Sequence, residues 1–171
     1  MLIIFAGLPG TGKSTLARAL AENIPARVLN KDIIRHEMFG PTGISFATEQ
    51  DDVVIDAMLS SARKLISVDS DTVIILDGRV FSRNSQLKHV TDFAESIPTS
   101  WLVVECVCSE SSAKRRLIAD LGRHIAANRT PELYDEVRAR FEPIPEPKLV
   151  IDTDQSLESC VAKVLSALER K

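Results

Sequence analysis

The sequence of 171 residues has few of the features that mark several large classes of protein. It contains three cysteines, an odd number that provides no disulfide framework and suits a reducing compartment. Its formal net charge of −3 shows no excess of basic residues, whereas a domain that holds a long polynucleotide by its phosphates is usually basic. No apolar stretch approaches the ~20 residues that span a bilayer. These absences favour a small substrate over a nucleic acid or a membrane.

The N-terminal segment lacks the basic residues that precede the apolar core of a signal peptide, and its apolar run is too short for one. We therefore expect a cytoplasmic protein. Hydrophobic residues make up 44% and charged residues 26% of the chain, proportions typical of a globular protein. The length fits a single domain over residues 1–171, and no repeat, low-complexity tract or linker interrupts it.

Short apolar runs alternate with amphipathic segments along the chain. The runs contain apolar residues, many of them β-branched, on consecutive positions, as expected of strands that are buried on both faces. Five such runs are present, at residues 2–6, 27–30, 72–76, 101–108 and 149–152. Helical periodicity is present in residues 13–23, 49–67, 109–121 and 157–168. This alternation predicts a three-layer α/β fold, in which a five-stranded parallel sheet carries helices on both faces.

The strongest motif lies between the first predicted strand and the helix that follows it. The residues Gly7-Leu-Pro-Gly-Thr-Gly-Lys-Ser14 form an intact G-x-x-x-x-G-K-S phosphate-binding loop. Glycines allow the backbone to approach phosphate oxygens closely, and the amide N–H groups at the start of the helix attract negative charge. Lys13 adds a positive charge for the β- and γ-phosphates of a nucleoside triphosphate, and the hydroxyl group of Ser14 is suited to bind Mg²⁺. The residues predicted to contact the nucleotide here are Gly7, Leu8, Pro9, Gly10, Thr11, Gly12, Lys13, Ser14 and Thr15.

Asp32 follows the second predicted strand, at the edge of the sheet that also carries the phosphate loop. A carboxylate there is suited to orient an acceptor hydroxyl group and to accept its proton as a general base. Arg35 lies three residues further on, on the same helical face, and is suited to hold an anionic or polar part of the acceptor. The alternative interpretation is an aspartate that caps the helix beside an exposed arginine. The phosphate loop favours the catalytic interpretation.

Asp77 directly follows the third apolar run and has the form of a Walker B carboxylate, which predicts a position near the metal ion or the acceptor. Together with Ser14, it is our candidate metal ligand. Arg79 and Arg83 come next in the sequence, and we predict that they bind the acceptor across the crevice. A solvated charged loop is the alternative interpretation for these two arginines.

Arginines precede and occupy residues 122–131, a segment whose Gly, Arg, His, Asn and Pro content predicts a mobile lid. A lid closes over the nucleotide, excludes water and brings guanidinium groups to the transferring phosphoryl group. We predict this catalytic role for Arg116 and Arg123, with Arg129 third, and a surface charge is the alternative for each of them. Thr153 follows the last predicted strand, at a position that borders the site of an adenine base. We predict that Arg116 and Thr153 contact the nucleotide.

These segments together resemble the AAA-like P-loop kinase family, whose relatives include polynucleotide kinase domains, chloramphenicol phosphotransferase and adenylylsulfate kinase. The resemblance covers nearly the whole chain and rests on the phosphate loop, Asp32-Ile-Ile-Arg35, Leu76-Asp-Gly-Arg-Val-Phe-Ser-Arg83, Lys114-Arg-Arg-Leu117 and Ile151-Asp-Thr153. It implies a sheet in the order 2-3-1-4-5, ATP with Mg²⁺, and transfer to a hydroxyl group. In the polynucleotide kinases, the residue that Asp32 matches acts as base and the one that Arg35 matches binds the acceptor. The chain departs from the family pattern at Arg79, where threonine is common.

We therefore expect an ATP-dependent kinase that uses Mg²⁺ and phosphorylates a hydroxyl group of a small molecule. The arginines at positions 35, 79 and 83 indicate an acceptor with an anionic or strongly polar group. Two alternatives stay open. A polynucleotide 5′-hydroxyl kinase would share the Asp32–Arg35 pair and would bind oligonucleotides in a salt-sensitive manner. A nucleotide-binding regulatory protein would bind ATP and would have no acceptor.

Overall fold

Strands and helices alternate throughout the computed structural model of the protein, which describes residues 1–122, 125 and 129–170. The strands are β1 (Leu2–Ala6), β2 (Ala26–Asn30), β3 (Val73–Asp77), β4 (Trp101–Val107) and β5 (Leu149–Asp152). The helices are α1 (Lys13–Asn23), α2 (Lys31–Phe39), α3 (Thr48–Val68), α4 (Asn84–Glu95), α5 (Glu110–Asp120), α6 (Pro131–Ala139) and α7 (Leu157–Leu168).

The five strands form one parallel sheet in the order β2-β3-β1-β4-β5, which confirms both the predicted fold class and the predicted strand order. The central strand β1 pairs with β3 on one side and with β4 on the other, so that Ile3 lies opposite both Ile75 and Leu102. Parallel neighbours require crossover connections, and the helices that make these crossovers cover the two faces of the sheet.

Alternate side chains of β1 enter two different hydrophobic cores. Leu2, Ile4 and Ala6 pack with residues of α3 and α4 on one face of the sheet. Ile3 and Phe5 pack with residues of α1 and α7 on the other face. Because successive side chains of a strand point to opposite faces, a central strand with a core on each side must be apolar at every position. This requirement explains the uninterrupted apolar run at the start of the sequence.

The carboxyl ends of the strands meet at one edge of the sheet, and this edge carries nearly all the residues predicted to act in the site. The phosphate loop follows β1, α2 begins directly after β2, and Asp77 is the last residue of β3. Thr153 follows β5, two positions along the sheet from β1. Ligands of open parallel sheets bind outside this edge, so the topology defines the region in which the site is built.

One of the observed helices is absent from the sequence analysis, and another begins with a clear capping signal. Helix α4 was not predicted, although its buried residues Leu87, Val90 and Ala94 follow helical spacing. Helix α6 begins at Pro131, directly after Thr130 caps it by accepting a hydrogen bond from the N–H of Leu133. Of the predicted lid, Arg123 lies outside the described residues. None of the described helices combines the length and the apolar composition that crossing a bilayer requires.

Two adjacent valines of α3 test the packing of this helix against the sheet. Val54 is fully buried, whereas Val53 is 49% exposed. We expect Val54→Ala to lower the free energy of unfolding by about 2 kcal/mol, because it removes buried methyl groups and leaves a cavity. Val53→Ala is the matched control, and we expect a change within about 0.5 kcal/mol. Urea denaturation of the two variants measures the difference, and equal stabilities would contradict the described packing.

Candidate active site

The phosphate loop surrounds the side chain of its own lysine. Lys13 is buried, and its Nζ donates hydrogen bonds to the carbonyl oxygens of Gly7 at 2.8 Å and of Leu8 at 2.7 Å. Burial lowers the pKa of Lys13 to about 8. No side chain caps the start of α1, so its first amide groups have no side-chain acceptor. A lysine and open amide groups at one helix terminus form an arrangement suited to phosphate oxygens.

The backbone of the loop requires glycine at position 10. Its φ is +76°, and a Cβ atom there would lie 2.5 Å from the carbonyl oxygen of Ala113 in α5. Any larger residue would therefore push α5 away from the loop, and the positive φ adds backbone strain. The close approach of α5 to the loop thus depends on this glycine.

The carboxylate of Asp77 connects the phosphate loop to the start of α2. Its Oδ1 accepts a hydrogen bond from the hydroxyl group of Ser14 at 3.0 Å, and its Oδ2 accepts one from Nδ2 of Asn30 at 2.7 Å. The amide oxygen of Asn30, Oδ1, accepts hydrogen bonds from the N–H groups of Asp32 and Ile33 and so caps α2. Asn30 was not predicted as a site residue, although an asparagine between a strand and a helix is a typical capping signal.

Ser14 and Asp77 provide two oxygen ligands that fit Mg²⁺. A hydroxyl and a carboxylate oxygen 3.0 Å apart are hard oxygen ligands, which Mg²⁺ prefers. No group of three His, Cys, Asp or Glu suited to a metal occurs among the described residues. A nucleotide-dependent Mg²⁺ does not need such a group, because phosphate oxygens and waters supply its other ligands.

Asp32 and Arg35 meet on one face of α2, as their spacing of three residues predicts. Nη1 of Arg35 donates to Oδ1 of Asp32 at 3.1 Å, and both side chains are largely buried. Asp51, in the first turn of α3, contacts Nη2 of Arg35 and accepts a hydrogen bond from Nζ of Lys31 at 3.1 Å. The guanidinium group of Arg35 also lies 5.4 Å from the centre of the Phe46 ring. Helix α3 therefore supplies the counter-ion that holds the cations of α2.

Arg79 is buried beside these residues, with 4% of its surface exposed. Its Nη2 donates a hydrogen bond of 2.6 Å to Oδ1 of Asp52, and its guanidinium group lies 5.9 Å from the centre of the Phe81 ring. Phe81 has a φ of +55°, an unusual value for an aromatic residue. Gly78, directly before Arg79, has a φ of +102°, and a Cβ atom there would lie 3.0 Å from Cβ of Lys31. The turn after β3 is thus closely fitted to the start of α2.

A cavity of about 160 Å³ joins the phosphate loop to these groups. Lys13 and Ser14 line one part of it, and Asp32, Arg35 and Arg79 line another. Arg129 also lines the cavity, and so do several residues that the sequence analysis did not single out. These are Lys31, Phe46, Thr48, Asp51, Val80, Phe81, Ser82, Gln86, Leu133, Val137 and Arg140. Five of them come from α3, α4 and α6, whose approach to the site depends on tertiary packing that no local motif reveals.

Two of the predicted arginines lie outside the cavity. Arg83 is exposed at the start of α4 and does not line the cavity. Arg116 does not line the cavity either, because its guanidinium group is held on the β5 side of the phosphate loop. There it donates hydrogen bonds to Oγ1 of Thr153 at 2.9 Å and to the carbonyl oxygen of the same residue at 2.7 Å. The structure thus brings Arg116 to Thr153 and not to the acceptor end of the cavity.

Thr153 links this arginine to the phosphate loop. Its hydroxyl group accepts the hydrogen bond from Arg116 and lies 3.0 Å from the carbonyl oxygen of Thr11, to which it donates. The Nη1 atom of Arg116 is also 3.4 Å from the carbonyl oxygen of Gly10. The segment after β5, helix α5 and the phosphate loop are therefore fixed to one another by a single side-chain network.

The chain belongs to the AAA domain family, whose sequence model matches residues 2–144. A candidate kinase of known structure from Chloroflexus aurantiacus is 25% identical to the chain, with a TM-score of 0.74 and a coverage of 96% of both chains. The APS kinase CysC of Mycobacterium tuberculosis, solved with AMPPNP and APS, is 20% identical, with a TM-score of 0.70 and a coverage of 98% of this chain and 96% of that one.

A gluconokinase from Sinorhizobium meliloti 1021 is also 20% identical, with a TM-score of 0.64 and a coverage of 98% of this chain and 91% of that one. No curated protein matches the sequence. The chain thus has the fold of the P-loop kinases, over nearly its whole length.

The hydroxyl group of Thr153 provides a test of the network beside the phosphate loop. We expect Thr153→Val to lower the free energy of unfolding by about 1–3 kcal/mol, because it leaves the Thr11 carbonyl oxygen and a donor of Arg116 without their partner. Thr153→Ser keeps the hydroxyl group and should stay close to the original stability. Urea denaturation measures both variants. A valine variant as stable as the serine variant would show that this hydroxyl group does not stabilise the protein.

Proposed function

We propose that the protein is an ATP-dependent kinase that transfers the γ-phosphoryl group of ATP to a hydroxyl group of a small molecule. One observation carries this proposal: a single cavity is lined both by Lys13 and Ser14 of the phosphate loop and by the carboxylate of Asp32. A protein that only binds or hydrolyses a nucleotide has no need of a buried carboxylate and arginine pair across from the phosphates. A kinase needs such a pair to position its acceptor.

The phosphate end of the cavity would hold the triphosphate. Lys13 would exchange its two carbonyl acceptors for oxygens of the β- and γ-phosphates, since its Nζ already lies inside the loop. Ser14 and Asp77 would hold Mg²⁺ together with the phosphates and waters. When bound there, Mg²⁺ supplies positive charge to the phosphates.

Asp32 would act on the acceptor. Its Oδ1 accepts a hydrogen bond from Arg35, which holds the carboxylate in place, and Oδ2 makes no hydrogen bond to the part of the chain that the structure describes. Oδ2 is thus available to an acceptor hydroxyl group. The hydroxyl oxygen forms a bond to the γ-phosphorus, the bond between this phosphorus and the β,γ-bridging oxygen breaks, and ADP leaves. The hydroxyl proton passes to Asp32.

The size of the cavity favours a small acceptor. Pockets that enclose drug-sized ligands usually have volumes of about 300–1,000 Å³. The cavity here measures about 160 Å³ and includes the phosphate end. The net charge of −3 points in the same direction, because a polynucleotide kinase benefits from a basic surface along the strand.

A variant of Asp32 tests the catalytic part of this proposal. The acceptor is first found by incubating the protein with [γ-³²P]ATP, Mg²⁺ and a fractionated metabolite extract. We then expect Asp32→Asn to reduce phosphorylation roughly 100-fold or more, because the general base is lost. The affinity for a fluorescent ATP analogue should stay within about twofold of the original, since Asp32 is not part of the phosphate loop. Turnover near the original level would exclude Asp32 as the base.

Three further measurements test the phosphate loop and the alternative functions. Lys13→Ala should weaken nucleotide binding and phosphorylation together, because Lys13 serves the phosphates and not the acceptor. A 5′-hydroxyl oligonucleotide should bind weakly at both 50 mM and 200 mM salt. Strong binding that falls steeply with salt would favour a polynucleotide kinase. ATP binding without phosphorylation of any fraction would favour a regulatory nucleotide-binding protein.

A further inference from the structure

The cavity holds many more positive than negative side chains. Its carboxylates are those of Asp32 and Asp51, and six cationic residues line it, namely Lys13, Lys31, Arg35, Arg79, Arg129 and Arg140. Lys13 belongs to the phosphate loop and has a partner in the nucleotide. Lys31, Arg35 and Arg79 lie on α2 and on the turn after β3, on the acceptor side. Among the residues that line the cavity, positive side chains therefore outnumber carboxylates by six to two, and Asp52, outside the cavity, pairs with Arg79.

Arg35 has a buried donor without a partner. Its side chain is 3% exposed, its Nη1 is bonded to Asp32 and its Nη2 contacts Asp51. Its Nε is fully buried and has no hydrogen-bond partner among the described residues. A buried N–H group without a partner is destabilising in the ligand-free protein.

Arg79 is fixed from outside the cavity and leaves donors for a ligand. Asp52 engages one nitrogen, Nη2, and this carboxylate is 57% exposed and does not line the cavity. A guanidinium group has five N–H donors in a planar fork, and the hydrogen bond to Asp52 uses only one of them. The side chain of Arg79 is 5% exposed, and Phe81 lies over its guanidinium group. Arg79 is thus a rigid cation, which suits bidentate recognition of an oxyanion.

The acceptor-side cations repel one another in the ligand-free protein. Burial lowers the pKa of Lys31 to about 8, and the positive charges of Arg35 and Arg79 add to this lowering against the effect of Asp32. Burial also lowers the pKa of Arg35, and Arg79 contributes in the same direction. An anion bound among these groups would relieve the repulsion and would regain part of the hydration that burial removed.

We propose that the acceptor carries an oxyanion in addition to its reacting hydroxyl group, and that Arg79 binds this oxyanion, with Asp52 as the positioning residue of Arg79. The chemistry is that of a carboxylate, a phosphate ester or a sulfate ester, which share oxygens that accept from a guanidinium fork. The inference rests on the proposed function in one respect, namely that this cavity receives the acceptor.

Anion binding to the complete chain tests the inference without a known acceptor. The protein is saturated with AMPPNP and Mg²⁺, so that the phosphate loop is filled, and is titrated with sulfate, methyl phosphate or acetate at constant ionic strength. Amide chemical shifts, measured by NMR, report binding around Gly78. We expect at least one of the three anions to saturate, and the tightest of them identifies the oxyanion class. Absence of saturable binding by all three would overturn the inference.

Variants of Arg79 locate the anion. We expect Arg79→Gln to weaken binding of the preferred anion at least tenfold and Arg79→Lys to weaken it less, because lysine keeps the charge and loses the fork. Arg63→Gln is the matched control, since Arg63 lies on α3 outside the cavity, over the ring of Phe93. Its affinity should equal that of the unmodified protein. Equal affinities of the Arg79 variants and the control would overturn the inference.

The outcomes separate this inference from the proposed function. Arg79-dependent anion binding without phosphorylation of any metabolite fraction would contradict the kinase and support the subsite. Phosphorylation of an uncharged hydroxyl compound at a rate that Arg79→Gln does not change would overturn the subsite and support the kinase. Thermal unfolding of each variant with bound AMPPNP confirms that the protein is folded. The lysine variant serves as the test if the glutamine variant does not fold.

Discussion

The site depends on the buried carboxylate of Asp77, which holds two elements at the end of the central part of the sheet. One oxygen accepts from Ser14 at the start of α1 and the other from Asn30 at the start of α2. Because Asn30 also caps α2, the direction in which that helix leaves the sheet is tied to the phosphate loop. The distance between the phosphate end and Asp32 is therefore set by hydrogen bonds to one rigid strand. A phosphoryl transfer site needs this kind of preorganisation, since small displacements of the reacting groups reduce the rate strongly.

The fold could be predicted to a large extent because its signals are local. Strands buried on both faces must be apolar at consecutive positions, so β1 and β4 are recognisable without knowledge of their neighbours. The strand order followed from the resemblance to a known family and not from the residues themselves. Helix α4 was not predicted because its buried apolar positions, Leu87, Val90 and Ala94, are few and lie among polar residues. Its place in the core is defined by contacts with β1 and α3, which the local pattern does not contain.

The candidate site could be predicted where spacing along one element decides the geometry. The contact of Asp32 with Arg35 is of this kind, because residues three apart share a helical face. Contacts between distant segments gave no signal. Asp51 and Asp52 resemble the acidic residues that commonly begin helices, and only the packing of α3 brings them to Arg35 and Arg79. Arg116 is another such case, since its side chain donates a hydrogen bond to the carbonyl oxygen of Thr153, 37 residues further along the chain.

The ion pair between Arg79 and Asp52 joins positions 27 residues apart whose side chains differ greatly in exposure. Over evolutionary time, this asymmetry constrains the order in which the two can change. If Asp52 were lost first, the buried guanidinium group of Arg79 would have no counter-ion, and the change would be selected against. If Arg79 were lost first, only a hydrated carboxylate would be left at the surface. A descendant lineage that adopts an uncharged acceptor is therefore expected to replace the arginine first and to let the aspartate drift afterwards.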